Sequence, residues 1–446
     1  MGFPPDFVFG AATSAYQIEG AVDEDGRGES IWDRFCSTPG AIRNAGTGAV
    51  ACDSYHRYRE DVRLARGAGL DAYRFSIAWP RVVPEGRGRV NAAGLDYYDR
   101  LVDELLAAGI VPYPTLYHWD LPQPLEDEGG WTVRATAEAF AEYVEVVVGR
   151  LGDRVGYWLT QNEPWVIAWL GYGNGIHAPG RRSEADAVAA AHNVLLSHGL
   201  ALEVLRREAP DARVGLAVDL IPMHPLTESE PDAAAARAED VARNRWILDP
   251  LLRGAYPEEG LARFGAFLPR TAADDLRVIS APLDFVGVNY YRRNVVQAGA
   301  GVVSPEGREY TATGWEVGPE FLRELLVQLR DEYDVPPLLV TENGAAYPDT
   351  VVGGRVDDPR RAAYIEAHVN EVAGAIADGA PVVGYFVWSL LDNFEWAEGY
   401  AQRFGLVYVD RTTLERIPKA SYHRYRDLIA TKRPGDWRPR RLVEAR

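Results

Sequence analysis

Cysteine is nearly missing from this chain: Cys36 and Cys52 are the only two among 446 residues. Two thiols do not build a disulfide scaffold, and no Cys/His spacing matches a zinc site. A Cys36–Cys52 bridge is disfavoured in a reducing compartment. That compartment is the expected one, because the start, Met1-Gly2-Phe3-Pro4-Pro5, lacks a basic segment followed by a long apolar one. Apolar runs that approach membrane-spanning length are also missing. Basic clusters are scarce: the net charge is −18, with 65 acidic against 47 basic side chains, and only Arg438, Arg440 and Arg441 gather near the end. An acidic surface of this kind favours solubility and argues against nucleic acid or an anionic membrane as partner. A cytoplasmic enzyme working on a small molecule, without metal or other cofactor, is the expectation. A homo-oligomer is left open.

Linkers, repeats and low-complexity tracts are absent as well. The chain instead alternates. Short apolar runs suited to buried parallel strands fall at 7–12, 72–77, 110–117, 213–218, 284–289 and 382–388, and two more lead into Glu163 and Glu342. Helical patterns follow at 53–67, 93–108, 132–151, 185–208, 319–333, 359–377 and 419–431, with additional helix at 232–252. Strand-then-helix units of this number predict an α/β fold, a closed (β/α)8 barrel of the TIM type with extended loops at its C-terminal face, forming one domain over residues 1–446. An open doubly wound sheet competes, but Gly10-Ala11-Ala12-Thr13 after the first strand lacks the glycine spacing of a phosphate-binding turn.

Two segments carry the chemistry: Thr160-Gln161-Asn162-Glu163-Pro164 and Thr341-Glu342-Asn343-Gly344. Each places a glutamate where a strand gives way to a loop, the position where barrels do their chemistry. One such carboxylate is ordinarily a solvated loop charge. A pair, each beside an Asn, is what acetal hydrolysis needs. The other strand ends would add Gln17, Arg74, His118 with Trp119, Asn162, Asn289 with Tyr290 and Tyr291, and Trp388. Amides and carboxylates hydrogen-bond sugar hydroxyls, and tryptophan stacks on the C–H faces of the ring.

These motifs resemble the family 1 glycoside hydrolases, which include the β-glucosidases. The likeness rests on Phe9-Gly10-Ala11-Ala12-Thr13-Ser14-Ala15-Tyr16-Gln17, Tyr73-Arg74-Phe75-Ser76-Ile77-Ala78-Trp79, His118-Trp119-Asp120-Leu121-Pro122 and Asn162-Glu163-Pro164. Thr341-Glu342-Asn343-Gly344 and the run from Trp388 to Trp396 complete it. By that resemblance Glu163 is the general acid/base and Glu342 the nucleophile. Gln17, His118, Trp119, Asn162, Glu395 and Trp396 would hold the sugar, with Trp388 as its floor. Arg74, Asn289 and Tyr291 would orient and charge-stabilise Glu342, and Trp315 would be a platform for the leaving group. Two positions depart from the pattern: Gln161 stands where an apolar residue is expected, and Val166 where a small polar or sulfur-containing one is common. Strict alternation would set Gln161 on the face of Glu163, yet Asn162 is expected in the site too, so its direction stays open.

The resemblance implies a retaining β-glycosidase acting on terminal β-D-glycosyl residues of small glycosides or short oligosaccharides. Such enzymes hold their carboxyls about 5–5.5 Å apart, against about 6.5–9.5 Å for inverting ones. Glu395 would accept two sugar hydroxyls and repel a phosphate, so a neutral glucoside, fucoside or galactoside is expected. A glycan-binding barrel without activity is the second reading, and a metal-dependent aldolase or isomerase the third.

Overall fold

A computed structural model of the chain describes residues 3–432. The basic group at Arg438, Arg440 and Arg441 therefore lies outside the described residues. Parallel strands β1 (Val8–Ala12), β2 (Ala72–Ser76), β3 (Val111–Tyr117), β4 (Tyr157–Asn162), β5 (Arg213–Asp219), β6 (Phe285–Asn289), β7 (Leu338–Asn343) and β8 (Val382–Trp388) pair in chain order. The circle closes where Ala12 of β1 faces Trp388 of β8. The alternation read from the sequence thus gives the expected barrel, with ends displaced by a residue or two.

The helices that return the chain from each strand to the next are α1 (Ser54–Gly67), α2 (Ala92–Ala107), α3 (Arg134–Leu151), α4 (Glu184–Glu208), α5 (Ala272–Ile279), α6 (Pro319–Glu332) and α7 (Pro359–Ala377), and α8 (Ala420–Lys432) follows the last strand. Against the expectation, one of them passes the length and composition test for crossing a membrane. That helix is α4, whose small Ala and branched Val and Leu side chains let it pack closely, leaving 83% of its apolar stretch buried inside the protein. Between β5 and β6 the expected additional helix is present as Glu230–Asp240, a wide turn at Val241–Arg245, and Trp246–Arg253.

One residue from every strand fills the barrel interior: Val8, Ala72, Tyr113, Leu159, Ala217, Phe285, Leu339 and Phe386 form a single buried cluster. This plug closes the floor, so polar residues nearer the strand ends face one mouth. A buried ionic network fixes the chain beyond β8. Lys419 bonds Asp349 at 2.5 Å and Asp392 at 2.7 Å, Arg361 pairs with Asp349 and Asp358, and Arg403 bonds Asp392 at 2.6 Å. Three cations thus face three carboxylates, so the burial is charge-balanced.

Candidate active site

Both glutamates reach the mouth because their strands carry an extra residue. Along β4, Leu159 faces Gly215 and Asn162 faces Ala217, so three steps on one strand match two on the other. Along β7, Val340 faces Val288 and Glu342 faces Asn289, two steps against one. Such bulges break side-chain alternation and re-aim the residues beyond them. On β4 the extra residue sends two neighbours outward: Thr160 meets His198 at 2.7 Å and Gln161 donates to Ser197 at 2.8 Å, both partners lying on α4. Gln161 therefore points away from Glu163, and Asn162 turns inward. On β7 the bulge keeps Thr341 and Glu342 both inward, while Asn343 turns out to Tyr290 and Tyr364. Glu163 itself sits at φ +54°, a left-handed conformation that costs a non-glycine residue energy. Gly344 is needed by close approach, since a Cβ there would lie 1.8 Å from the Trp388 carbonyl.

A polar chain links the two carboxylates. Arg74 is ion-paired through Nη1 to Glu342 and donates from Nη2 to Asn162 Oδ1 at 2.6 Å. Asn289 Nδ2 donates to the same oxygen at 3.1 Å and to Glu163 at 2.6 Å. The Tyr291 hydroxyl donates to Glu342 Oε2 at 2.6 Å. Asn289, expected beside Glu342, hydrogen-bonds that carboxylate and reaches Glu163 as well. Burial raises the pKa of Glu163 well above the usual carboxylate range, and the charges of Asp219 and Glu342 add to it. Burial raises Glu342 as well, but Arg74 and Tyr291 pull it back. Glu342 is therefore the first of the pair to ionise, and Glu163 keeps the proton.

Next to this chain stand the other expected residues. His118 Nε2 lies 3.1 Å from the Asn162 amide nitrogen, so it accepts, and Nδ1 is left buried with a proton and no partner. Burial and Arg74 hold its pKa well below the ordinary value, so the ring is neutral. It lies nearly parallel to Trp388 and Trp396, at 5.8 and 6.0 Å. Trp396 packs 4.6 Å from Trp119, whose indole N–H is taken up by the Asn162 carbonyl. Gln17 is held by Ser14, Asn393 and the Phe394 carbonyl. Glu395 has one buried carboxylate oxygen with no partner. Burial, with the Glu342 and Glu398 charges, pushes its pKa up to about 8, while a hydrogen bond with Trp388 opposes this. Trp315 packs 5.2 Å from Tyr291 and 6.0 Å from Phe404.

Three charged residues here were not singled out in the sequence. Asp219, the last residue of β5, is bound by Arg243 from the inserted helices, and Arg243 lies 3.5 Å over the Trp165 ring. Arg292 lies over the Trp315 ring, 5.4 Å from its centre. The end of β5 was the one hint available, since its strand pattern stopped at Val218 and the next residue falls at the mouth. Among the described residues no group of three or more His, Cys, Asp or Glu side chains is placed to hold a metal ion.

Fold and site together define a class: a (β/α)8-barrel enzyme with a carboxyl pair buried among amides and tryptophans. The chain belongs to glycosyl hydrolase family 1, whose family model matches residues 1–434. It is 46% identical over 439 residues to Beta-glucosidase A of Acetivibrio thermocellus, covering 96% of this chain and 98% of that one. To Thermostable beta-glucosidase B of Thermobispora bispora it is 50% identical over 446 aligned positions, covering 96% and 91%. A solved structure of the family 1 β-glucosidase from Thermotoga maritima in complex with isofagomine lactam superposes with a TM-score of 0.95 at 45% identity, covering 97% of this chain and 99% of that one. The protein is thus a hydrolase of O-glycosides.

Proposed function

We propose that the chain is a retaining β-glucosidase, a single catalytic unit whose nucleophile is Glu342 and whose acid/base is Glu163. One observation carries this: the two buried glutamates have unlike partners. Glu342 receives a guanidinium and a phenol, both of which favour its anion. Glu163 receives a neutral amide and faces other carboxylates, which favour its acid. In the first half of the reaction Glu342 attacks the anomeric carbon while Glu163 protonates the departing oxygen. Esterification then removes the Glu342 charge, the pKa of Glu163 falls, and Glu163 takes a proton from the water that frees the sugar.

The neighbouring groups suit a sugar with free hydroxyls. His118 offers an unused N–H, and Glu395 an unused oxygen. Trp388 and Trp396 supply aromatic surface. Free hydroxyls favour the Glu395 anion, whereas a phosphate on the primary hydroxyl would oppose that ionisation, so the unphosphorylated glucoside is the better substrate. The similarity to named β-glucosidases supports a glucoside as substrate. Proton NMR of an aryl β-glucoside digest tests the stereochemistry. β-Glucose appears first under this reading; α-glucose first would demand an inverting mechanism instead.

A further inference from the structure

The side of Glu163 that faces away from Gln17, His118 and Glu395 is where a leaving group must lie, because Glu163 protonates the oxygen that joins it to the sugar. That side is unusually charged. Asp219 is bound by Arg243, which covers Trp165. Arg292 follows Tyr291 directly in the chain and lies over Trp315. Among the described residues the Arg292 guanidinium makes no hydrogen bond and no ion pair. The charges that bear on it are those of Arg243 and Asp219. Two guanidiniums thus face one carboxylate, and with Glu163 protonated this region keeps an unbalanced positive charge. Such an imbalance, half-buried against an indole, is costly to a protein and calls for an anion.

We propose that Arg292 and Trp315 form a subsite for a leaving group that is flat and carries a carboxylate. Trp315 offers a ring face for an aromatic body, and Arg292 a planar fork that binds a carboxylate through paired N–H donors. An aryl glucoside whose ring bears an acid group fits both. The proposal rests on the β-glucosidase reading above, and its test separates the two.

The measurement is kcat/KM for para-carboxyphenyl β-D-glucoside and for its uncharged carboxamide, with the intact chain, Arg292→Met and Arg292→Lys. The acid-to-amide ratio cancels differences in folding and in proton transfer, since both substrates meet the same catalytic groups. A charge-assisted contact of this kind is worth about tenfold. The ratio should therefore fall about tenfold in Arg292→Met, recover most of that in Arg292→Lys, and fall in the intact chain as salt is raised. An unchanged ratio in Arg292→Met, with the pH profile displaced instead, would show that Arg292 serves only as a counter-charge to Asp219, and would overturn the subsite. Failure of every protein to cleave the amide would overturn the β-glucosidase reading, and the subsite with it.

Discussion

Arg74 is the residue whose removal speaks most clearly to the division of roles between the two glutamates. Its side chain is 1% exposed, it is ion-paired to Glu342, and it also holds Asn162 and, at 3.0 Å, Thr115. Arg74→Met leaves the Glu342 carboxylate buried without its cation. Breaking a buried pair in this way costs about 3–5 kcal/mol when the remaining charge persists. A carboxyl avoids most of that by taking a proton. At 1.36 kcal/mol per pKa unit, the cost translates into an upward shift of about 2–4 units for Glu342. The nucleophile must be ionised, so activity is lost as pH falls through its pKa. The acidic limb of kcat/KM on an aryl β-glucoside should therefore move up by about 2–4 pH units, with a loss of about 100- to 10,000-fold below the new limb. Tyr291→Phe, which removes one hydrogen bond to the same carboxylate, should move that limb in the same direction by about one unit. Mere misplacement of Asn162 would lower activity at every pH. An acidic limb that stays in place in both variants would refute the assignment of these residues to Glu342.

Asp219→Asn should displace the opposite limb. Asp219 is the first of the charges that raise the pKa of Glu163, so removing it lowers that pKa, and the basic limb of kcat/KM should move to lower pH. Glucose binding should release a proton, since the raised pKa of Glu395 leaves it largely protonated at neutral pH and hydroxyl donors favour its anion. Calorimetry of a glucose-like inhibitor in buffers of differing ionisation enthalpy would show the release, and affinity should improve as pH rises toward 8. Lys419→Met should destabilise the protein by about 3–5 kcal/mol, read by denaturant unfolding, because Asp349 and Asp392 would lose a shared buried cation.

The barrel was legible because parallel strands covered on both faces are apolar throughout, and because Gly and Pro mark their ends. Glu163, Glu342 and their strand-end neighbours followed from that placement, and their suggested roles from the resemblance. The direction of Gln161 was not legible. A bulge is a mismatch of register between two strands, and nothing within Thr160-Gln161-Asn162 reveals how many residues Gly215 to Ala217 will oppose. Asp219 was hidden for a related reason: a single acidic residue after an apolar run looks like solvated loop. Arg243 lies in an inserted helical stretch, and Arg292 in a pair of arginines, where surface charge is the ordinary expectation. Only the fold turns these toward Glu163 and Trp315. The apolar composition of α4 concealed its other property, which is that a core helix of a large barrel can match a membrane span in length.

The most direct measurement is to trap the reaction half-way. A glucosyl fluoride with a second fluorine in place of the hydroxyl next to the anomeric carbon slows release more than attack. Incubated with the protein and analysed by peptide mass spectrometry, it should leave one fluoroglucosyl group on the peptide that holds Leu338–Asn343, attached to Glu342. Attachment to Glu163, or a protein that turns the reagent over with no sugar bound at any stage, would contradict the account.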